Sequence, residues 1–369
     1  MSIPEQEQTE LRYLLGIAHI GNIGPIRFQR IKKYFSNLAD FWQANLIDII
    51  NSGIEEAVAH KIIINRNQID LEKVWQTHQD ANIKLLSINN PNYPAQLKQI
   101  FDPPFLLFYR GDINILNKTA LAVVGARKYT SYGQQATHSV VSKLASSGLV
   151  IISGLALGID AIAHQATLEA SGLTVGVLGA SVAQKEIYPQ SNYHLSEKII
   201  ANGGCLISEY PIGTIPLKPN FPRRNRIVSG LAKGVLVIEA QQDSGSLITA
   251  KCALEQNRDV FAIPGTIFSP YSLGTNDLIK KGAKLVSDAQ DILEEFDIQE
   301  IATYPTTKTS TLSEAESTVT KFLSKEKTHI NLIAQKSNLA IANLLSILTI
   351  LELKGIVKDL GGKNYILCK

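Results

Sequence analysis

Apolar and polar positions change rhythm twice along this chain. From Ala120 onward the runs LAVVGA, LVIISG, TVGVLGA, CLISEY, GVLVIEA and DVFAIPG recur at intervals of roughly 25 to 30 residues. Between them lie QQATHSVVSKLASS, GIDAIAHQATLEAS, YHLSEKIIANG, NRIVSGLAK and SLITAKCALEQN, whose apolar residues keep helical spacing. Continuous apolar strands separated by amphipathic helices predict a parallel sheet covered on both faces, a doubly wound Rossmann-like α/β domain over 118–297. Ligands of such sheets bind beyond the carboxyl ends of the strands, where the strand order reverses.

The flanks read differently. Residues 1–80 form short helices with two Gly-containing turns, His19 to Gly24 and Asn51 to Ile54. The first turn resembles the hairpin of a helix-hairpin-helix unit, in which glycine lets backbone amides approach a phosphate. Glu55 and Glu56 follow the second turn and would repel one, so a SAM-like helical domain serving packing or a partner fits equally. Residues 81–117, with Tyr93-Pro94 and Asp102-Pro103-Pro104, are expected as an extended connector. Residues 298–312 are Thr-rich and read as a linker. From 313 to 369, three helices and a hairpin turning at Gly361-Gly362 predict a winged helix. Its second helix of the pair carries no Arg and only Lys354 near its end, so it suits a protein contact better than a DNA groove.

Bulk composition narrows the partners. Net charge is only +3, so affinity for a polyanion must come from local clustering. Cys205, Cys252 and Cys368 are far apart with no CxxC pair, which argues against a disulfide framework or a zinc ribbon and for a reducing, cytoplasmic setting. The N-terminus lacks the basic start and apolar stretch of a signal peptide. No apolar run approaches the ~18 residues expected of a membrane span.

Charge is concentrated in YPIGTIPLKPNFPRRNRIVSGLAKGVLVI, Tyr210 to Ile238, which holds Lys218, Arg223, Arg224, Arg226 and Lys233 and no acid. Pro216, Pro219 and Pro222 interrupt it, and Phe221 stands among the cations. Cations with an aromatic on a loop before a buried strand suit a phosphate backbone whose bases stack. Three strand-end loops add to it. Gly125-Ala126-Arg127-Lys128 opens a helix, where free amides and the helix dipole favour an anion. Its spacing is not GxGxxG, and from Ile113 through Ile159 there is no Asp or Glu. Gly154 begins a second loop ending at Asp160, with His164 one turn on; helix capping is the expected role of Asp160, since no nucleophile or metal ligand completes a site. Ser244, Gly245 and Ser246 form the third, either a phosphate cradle or a capped helix start. With no GxSxG, HExxH or Walker loop, the chain reads as a binding protein with no catalytic residues, cofactor or metal.

The ordered motifs VGARKYTSYG, ISGLALGIDAIAHQATL, YPQSNYHLSEKI, LISEYPIGTIP, FPRRNRIVSGLAKGVLVIEA, SGSLITAKCALEQNRDVFAIPG and GTNDLIKKGAKLV resemble the DNA-processing protein A (DprA/Smf) family over about 85–297. The resemblance implies a single-stranded DNA binder that protects incoming DNA in natural transformation. It further implies loading of RecA recombinase, partly against single-strand-binding protein, and a homodimer formed through the Rossmann-like domain. It places Arg127, Lys218, Phe221, Arg223, Arg224, Asn225 and Arg226 in the DNA pocket. The competing expectation is a nucleotide-binding or nucleotide-hydrolysing protein akin to the lysine-decarboxylase-like hydrolases. Against it, DSGSLITAKC lacks their Pro-Gly-Gly and the Glu that would supply acid-base chemistry.

Overall fold

The computed structural model describes residues 5–298, 313–324, 326–353 and 356–367. The linker expected over 298–312 therefore lies, beyond Ile298, outside the described residues, as does Lys354.

Nine strands form one sheet: β1 (Lys84–Ser87), β2 (Leu106–Gly111), β3 (Ala120–Val124), β4 (Val150–Ser153), β5 (Thr174–Leu178), β6 (Cys205–Ser208), β7 (Gly234–Val237), β8 (Asp259–Ala262) and β9 (Lys284–Leu285). Their order is β1-β2-β6-β5-β4-β3-β7-β8-β9. All pairs from β6 to β9 are parallel, whereas β2 runs antiparallel to β6 and to β1. The chain walks outward from β3 through β6 and then returns to lay β7 on the other flank of β3. This reversal is the switch point.

The expected connector over 81–117 is thus corrected. Its apolar runs supply β1 and β2, and Pro91, Pro94, Pro103 and Pro104 fall in the connection between those strands, where no ladder hydrogen bond is lost.

Six helices precede the sheet: α1 (Glu5–Ile20), α2 (Pro25–Tyr34), α3 (Leu38–Gln43), α4 (Leu46–Asn51), α5 (Glu56–Arg66) and α6 (Leu71–Asp80). The short α7 (Ala95–Lys98) joins β1 to β2. The crossovers are α8 (Ser131–Ser146), α9 (Ile159–Glu169), α10 (Tyr193–Ala201), α11 (Asn220–Gly230), α12 (Gly245–Glu255) and α13 (Leu273–Lys280), and α14 (Gln290–Glu295) follows β9.

Strand alternation sorts the cores. Ala120, Ala122, Val124, Val175 and Val177 face α11 and α12, while Leu121, Val123 and Ile151 face α8, α9 and α14. The six N-terminal helices continue that second cover over the β1-β2-β6 half, packing on Leu106, Phe108, Leu178 and Leu206. Phe28 stacks on Phe105 with ring centroids 4.3 Å apart. The two N-terminal turns are tied to each other: Arg27 donates to Glu55 at 2.9 Å and Arg30 to the Gly53 carbonyl at 2.7 Å.

The second unit, from Ala302 onward, is a winged helix of α15 (Glu314–Thr320), α16 (Ile330–Ser337) and α17 (Ile341–Leu353) with β10 (Thr328–His329), β11 (Val357–Asp359) and β12 (Asn364–Leu367). The expected hairpin is β11–β12, joined by β10 as a third strand. Of the apolar thread on α17, Leu344, Leu348 and Leu351 are buried and Leu345 and Ile350 are exposed. No single described helix is long and apolar enough to cross a membrane.

Burial leaves two histidines neutral. His19, packed edge-on to His78 at 5.3 Å, is lowered to about 4, chiefly by desolvation and then by His78. His164, with Nδ1 on the Thr174 hydroxyl at 2.6 Å, is lowered to about 3, first by burial and then by Arg224. An unfolded imidazole takes its proton near 6.5, so this stability is complete above pH 6.5 and lost as pH falls through about 4 and about 3. Urea unfolding across pH 3–7 should show that decline, and His19→Leu should make it shallower. An identical slope in the variant would contradict this assignment.

Candidate nucleic-acid interface

The loops after β3, β4 and β7 and the start of α11 converge on the carboxyl ends of the strands around the switch point. Gly125, Arg127, Gly154, Asp160, Arg224, Asn225, Ser244, Gly245 and Ser246 line a polar cleft of about 90 Å³ there. A second hollow, bounded by Arg127, Leu157, Tyr188, Pro189 and Phe221, adjoins it.

The basic motif is helical and not a loop: α11 begins at Asn220, so Phe221, Arg223, Arg224, Asn225 and Arg226 all ride on it. Pro219 and Pro222 read as breakers, yet they occupy the cap and first turn, where a missing N–H has no intrahelical partner to lose. Helical spacing then sends the three arginines in different directions.

Arg224 points inward and is 5% exposed. Its Nη1 donates to the carbonyls of Gly154, at 2.6 Å, and Val177, and its Nε to Asn225 Oδ1 at 3.2 Å. A Cβ on Gly154 would stand 2.4 Å from Nη2, so Gly154 admits the guanidinium and not a ligand backbone. Burial lowers Arg224 to about 10, with the Asp160 carboxylate opposing, so it stays charged at neutral pH. Asp160 accepts from the Gly154 and Ala156 amides at 3.1 and 3.4 Å. It closes the loop ahead of its helix, where Gly158 holds the cap position that Asp160 was expected to serve. Burial raises its pKa and Arg224 acts against that.

Arg226 is also withdrawn. It donates to Glu209 at 2.7 Å and pairs with Asp102 at 3.0 Å, with 12% of its side chain exposed. Both carboxylates lie outside the acid-free stretch. Arg223 alone of the three faces solvent. With Arg127, Lys128 and Lys218 it forms a set of exposed cations, and among the described residues none of the four makes an ion pair.

Phe221 is half-buried beside these cations. Its ring lies against Gly179, where a Cβ would come within 2.8 Å, and 5.5 Å from the exposed Tyr188 ring. The Arg127 guanidinium sits 5.9 Å from the Phe221 centroid. Leu157 and Tyr188 complete a slot with an aromatic wall and a cationic rim; sequence reasoning missed both as site residues. For Tyr188 the signal was the Tyr-Pro step in the connection between β5 and α10.

The amino terminus of α8, expected to receive a ligand anion, already holds one. Glu239 is 2% exposed and accepts from the Thr130 amide at 3.0 Å and its hydroxyl at 2.5 Å. A Cβ on Gly133 would meet that carboxylate at 2.2 Å, leaving no room for a phosphate beside it. Gly125 packs on Ile159, again within Cβ contact, at 2.7 Å. In the third loop Ser244 caps α12, accepting from the Ser246 amide at 3.4 Å and contacting the Ser246 hydroxyl at 2.7 Å. Gly245 is open, and its carbonyl accepts from Asn225 Nδ2 at 3.3 Å.

Comparison with known proteins agrees with this architecture. Residues 84–297 match the family described as DNA recombination-mediator protein A, starting at β1, and 304–363 match the DprA winged helix domain. The chain is 40% identical over 270 residues to DNA processing protein DprA of Bacillus subtilis, covering 71% of this chain and 90% of that one. It is 46% identical over 211 residues to the Streptococcus pneumoniae protein of the same name, covering 57% and 73%. The structure of DNA processing protein A from Streptococcus pneumoniae superposes with a TM-score of 0.66 at 38% identity, over 80% of this chain and 99% of that one. The Helicobacter pylori protein, described for its unique single-stranded DNA binding mode, gives 0.53 at 31% identity over 59% and 99%. The chain belongs to the DprA/Smf family of DNA-processing proteins.

Proposed function

We propose that this protein binds single-stranded DNA, protects incoming strands during natural transformation and loads RecA recombinase onto them, partly against single-strand-binding protein and as a homodimer. The observation that carries the DNA reading is the exposed cations Arg127, Lys128, Lys218 and Arg223, none of which makes an ion pair among the described residues, with Arg127 over the Phe221 ring of the Phe221–Tyr188 slot at the switch point. Cations without internal partners attract a phosphate backbone, and an aromatic beside them stacks an unpaired base whatever its identity. Single-stranded DNA binding by the Helicobacter pylori relative supports the same substrate, and the family's description as a recombination mediator supports the RecA step. Against the nucleotide-binding alternative, the loop after β7 lacks the Pro-Gly-Gly and the Glu of the lysine-decarboxylase-like hydrolases, and the amino terminus of α8 is taken by Glu239.

Gel shifts of single- and double-stranded oligonucleotides should show a preference for the single strand. Phe221→Ala should cost about 1–3 kcal/mol of that binding. Equal affinity for both forms would contradict the reading, and an unaffected Phe221 variant would return that ring to a packing role.

Across a salt series, Arg127→Ala, Lys218→Ala and Arg223→Ala should each shallow the slope of log K against log salt by about 0.7, one phosphate on a single strand. Arg226→Ala should behave differently. It strands Glu209, whose side chain is only 15% exposed, so the main effect should be a loss of stability of about 3 kcal/mol in thermal or chemical melts. A changed salt slope with an unchanged melt would show that Arg226 reaches DNA.

Removing 308–369 should leave oligonucleotide affinity largely intact and alter oligomeric state or recombinase interaction, since the basic loops all lie in the first unit. Light scattering beside a binding isotherm checks this. A tenfold or greater loss of affinity at unchanged mass would mean that the winged helix contacts DNA.

A further inference from the structure

We propose that the loop after β8 carries a second base-stacking platform, so that a strand seated on Phe221 continues across the switch point to Phe268. This rests on the single-stranded DNA reading above. Ile267 is 75% and Phe268 89% exposed, the latter the most exposed of the large apolar side chains described. The loop presenting them is firmly held. Tyr132 donates its hydroxyl to the Pro264 carbonyl at 2.6 Å. Gly265 and Asn276 exchange two hydrogen bonds, at 3.2 and 3.0 Å, and the Ala240 amide donates to the Tyr271 carbonyl at 2.8 Å. An aromatic ring held in water on a fixed base is a surface built for a ligand that brings its own flat face.

The topology sets what can reach it. Phe221 lies at the end of β5 against Gly179, Arg127 and Lys128 leave the end of β3, and Phe268 follows β8. The order β5-β4-β3-β7-β8 puts four strand gaps between the two rings, roughly 19 Å at about 4.8 Å each. At the 3.4 Å rise of a stacked strand that is roughly six nucleotides, or fewer if extended. Charge fits the same occupant. Residues 264–276 contain no acid, nor does the stretch from Ile113 to Ile159 that supplies Lys128 and the exposed Tyr129 and Tyr132. In strand order Arg127 and Lys128 lie between Phe221 and Phe268, and rings separated by cations match successive bases and phosphates better than a protein surface, which would call for a broad contiguous apolar patch. The β7 loop between them carries two carboxylates; Glu239 is buried on Thr130, which leaves the exposed Asp243 as the charge opposing such a path.

Three variants test it. Phe268→Trp places an indole at the platform, distinguishable from Trp42 and Trp75 by subtracting the wild-type signal. An oligothymidine of about ten nucleotides, within the usual site sizes, should quench it. Phe268→Ala should weaken that oligonucleotide by roughly fivefold or more yet leave a dinucleotide unaffected, because even fully extended the shorter strand cannot reach from Phe221. Asp243→Asn should tighten the longer strand only. Melting curves of Phe268→Ala should be unchanged, since the ring is not packed. An unquenched indole together with full affinity in Phe268→Ala overturns the proposal. So does a fall in particle mass in Phe268→Ala, which would assign the ring to a contact between copies. Indifference to Phe221→Ala and Arg127→Ala as well would overturn the DNA reading itself, whereas retained dependence on those two beside an inert Phe268 overturns this inference alone.

Discussion

The arrangement turns on one buried cation. Arg224 reaches from the second turn of α11 to the carbonyls at the ends of β4 and β5, with Asp160 close by, and so fixes the helix against the mouth of the sheet. Removing a charge of this kind from water is costly, and the hydrogen bonds and the Asp160 carboxylate offset the cost only in this one geometry. Because Arg224 is seated, Phe221 falls against Gly179 and Arg223 is turned to solvent. The cation most central to the motif is thus the one least able to touch a ligand.

Carboxylates then decide which other charges remain at the surface. Glu209 and Asp102 neutralise Arg226, and Glu239 occupies the amino terminus of α8. What stays exposed is a narrow rim of Arg127, Lys128, Lys218 and Arg223 beside aromatic rings. On the proposed reading, a chain of net charge +3 would hold a polyanion on such a rim through short-range contacts, which fall within the ~8 Å screening length of physiological salt, where a diffuse field does not.

The N-terminal helices take part in the same frame. They complete the cover of one sheet face from Phe28 on Phe105 to the aliphatic groups on Leu206. A domain that reads as separable along the chain is therefore continuous with the core beneath the site, and strands β1 and β2 are what join them.

Much of this was legible before any coordinates. Apolar runs at regular spacing carry the parallel sheet, because a strand buried on both faces has no polar position to hide, and strand-end glycines and acid-free stretches mark the loops that meet at the switch point. The sense of the individual side chains was not legible. Helical rotation within RRNR, and partners distant along the chain, sent Arg224 inward, tied Arg226 to Asp102 and Glu209, and turned Arg223 to solvent. Periodicity is a local property and survives in one dimension. Whether a cation meets a carboxylate, a carbonyl or water depends on residues scores of positions away, which only the closed fold brings within a few ångströms.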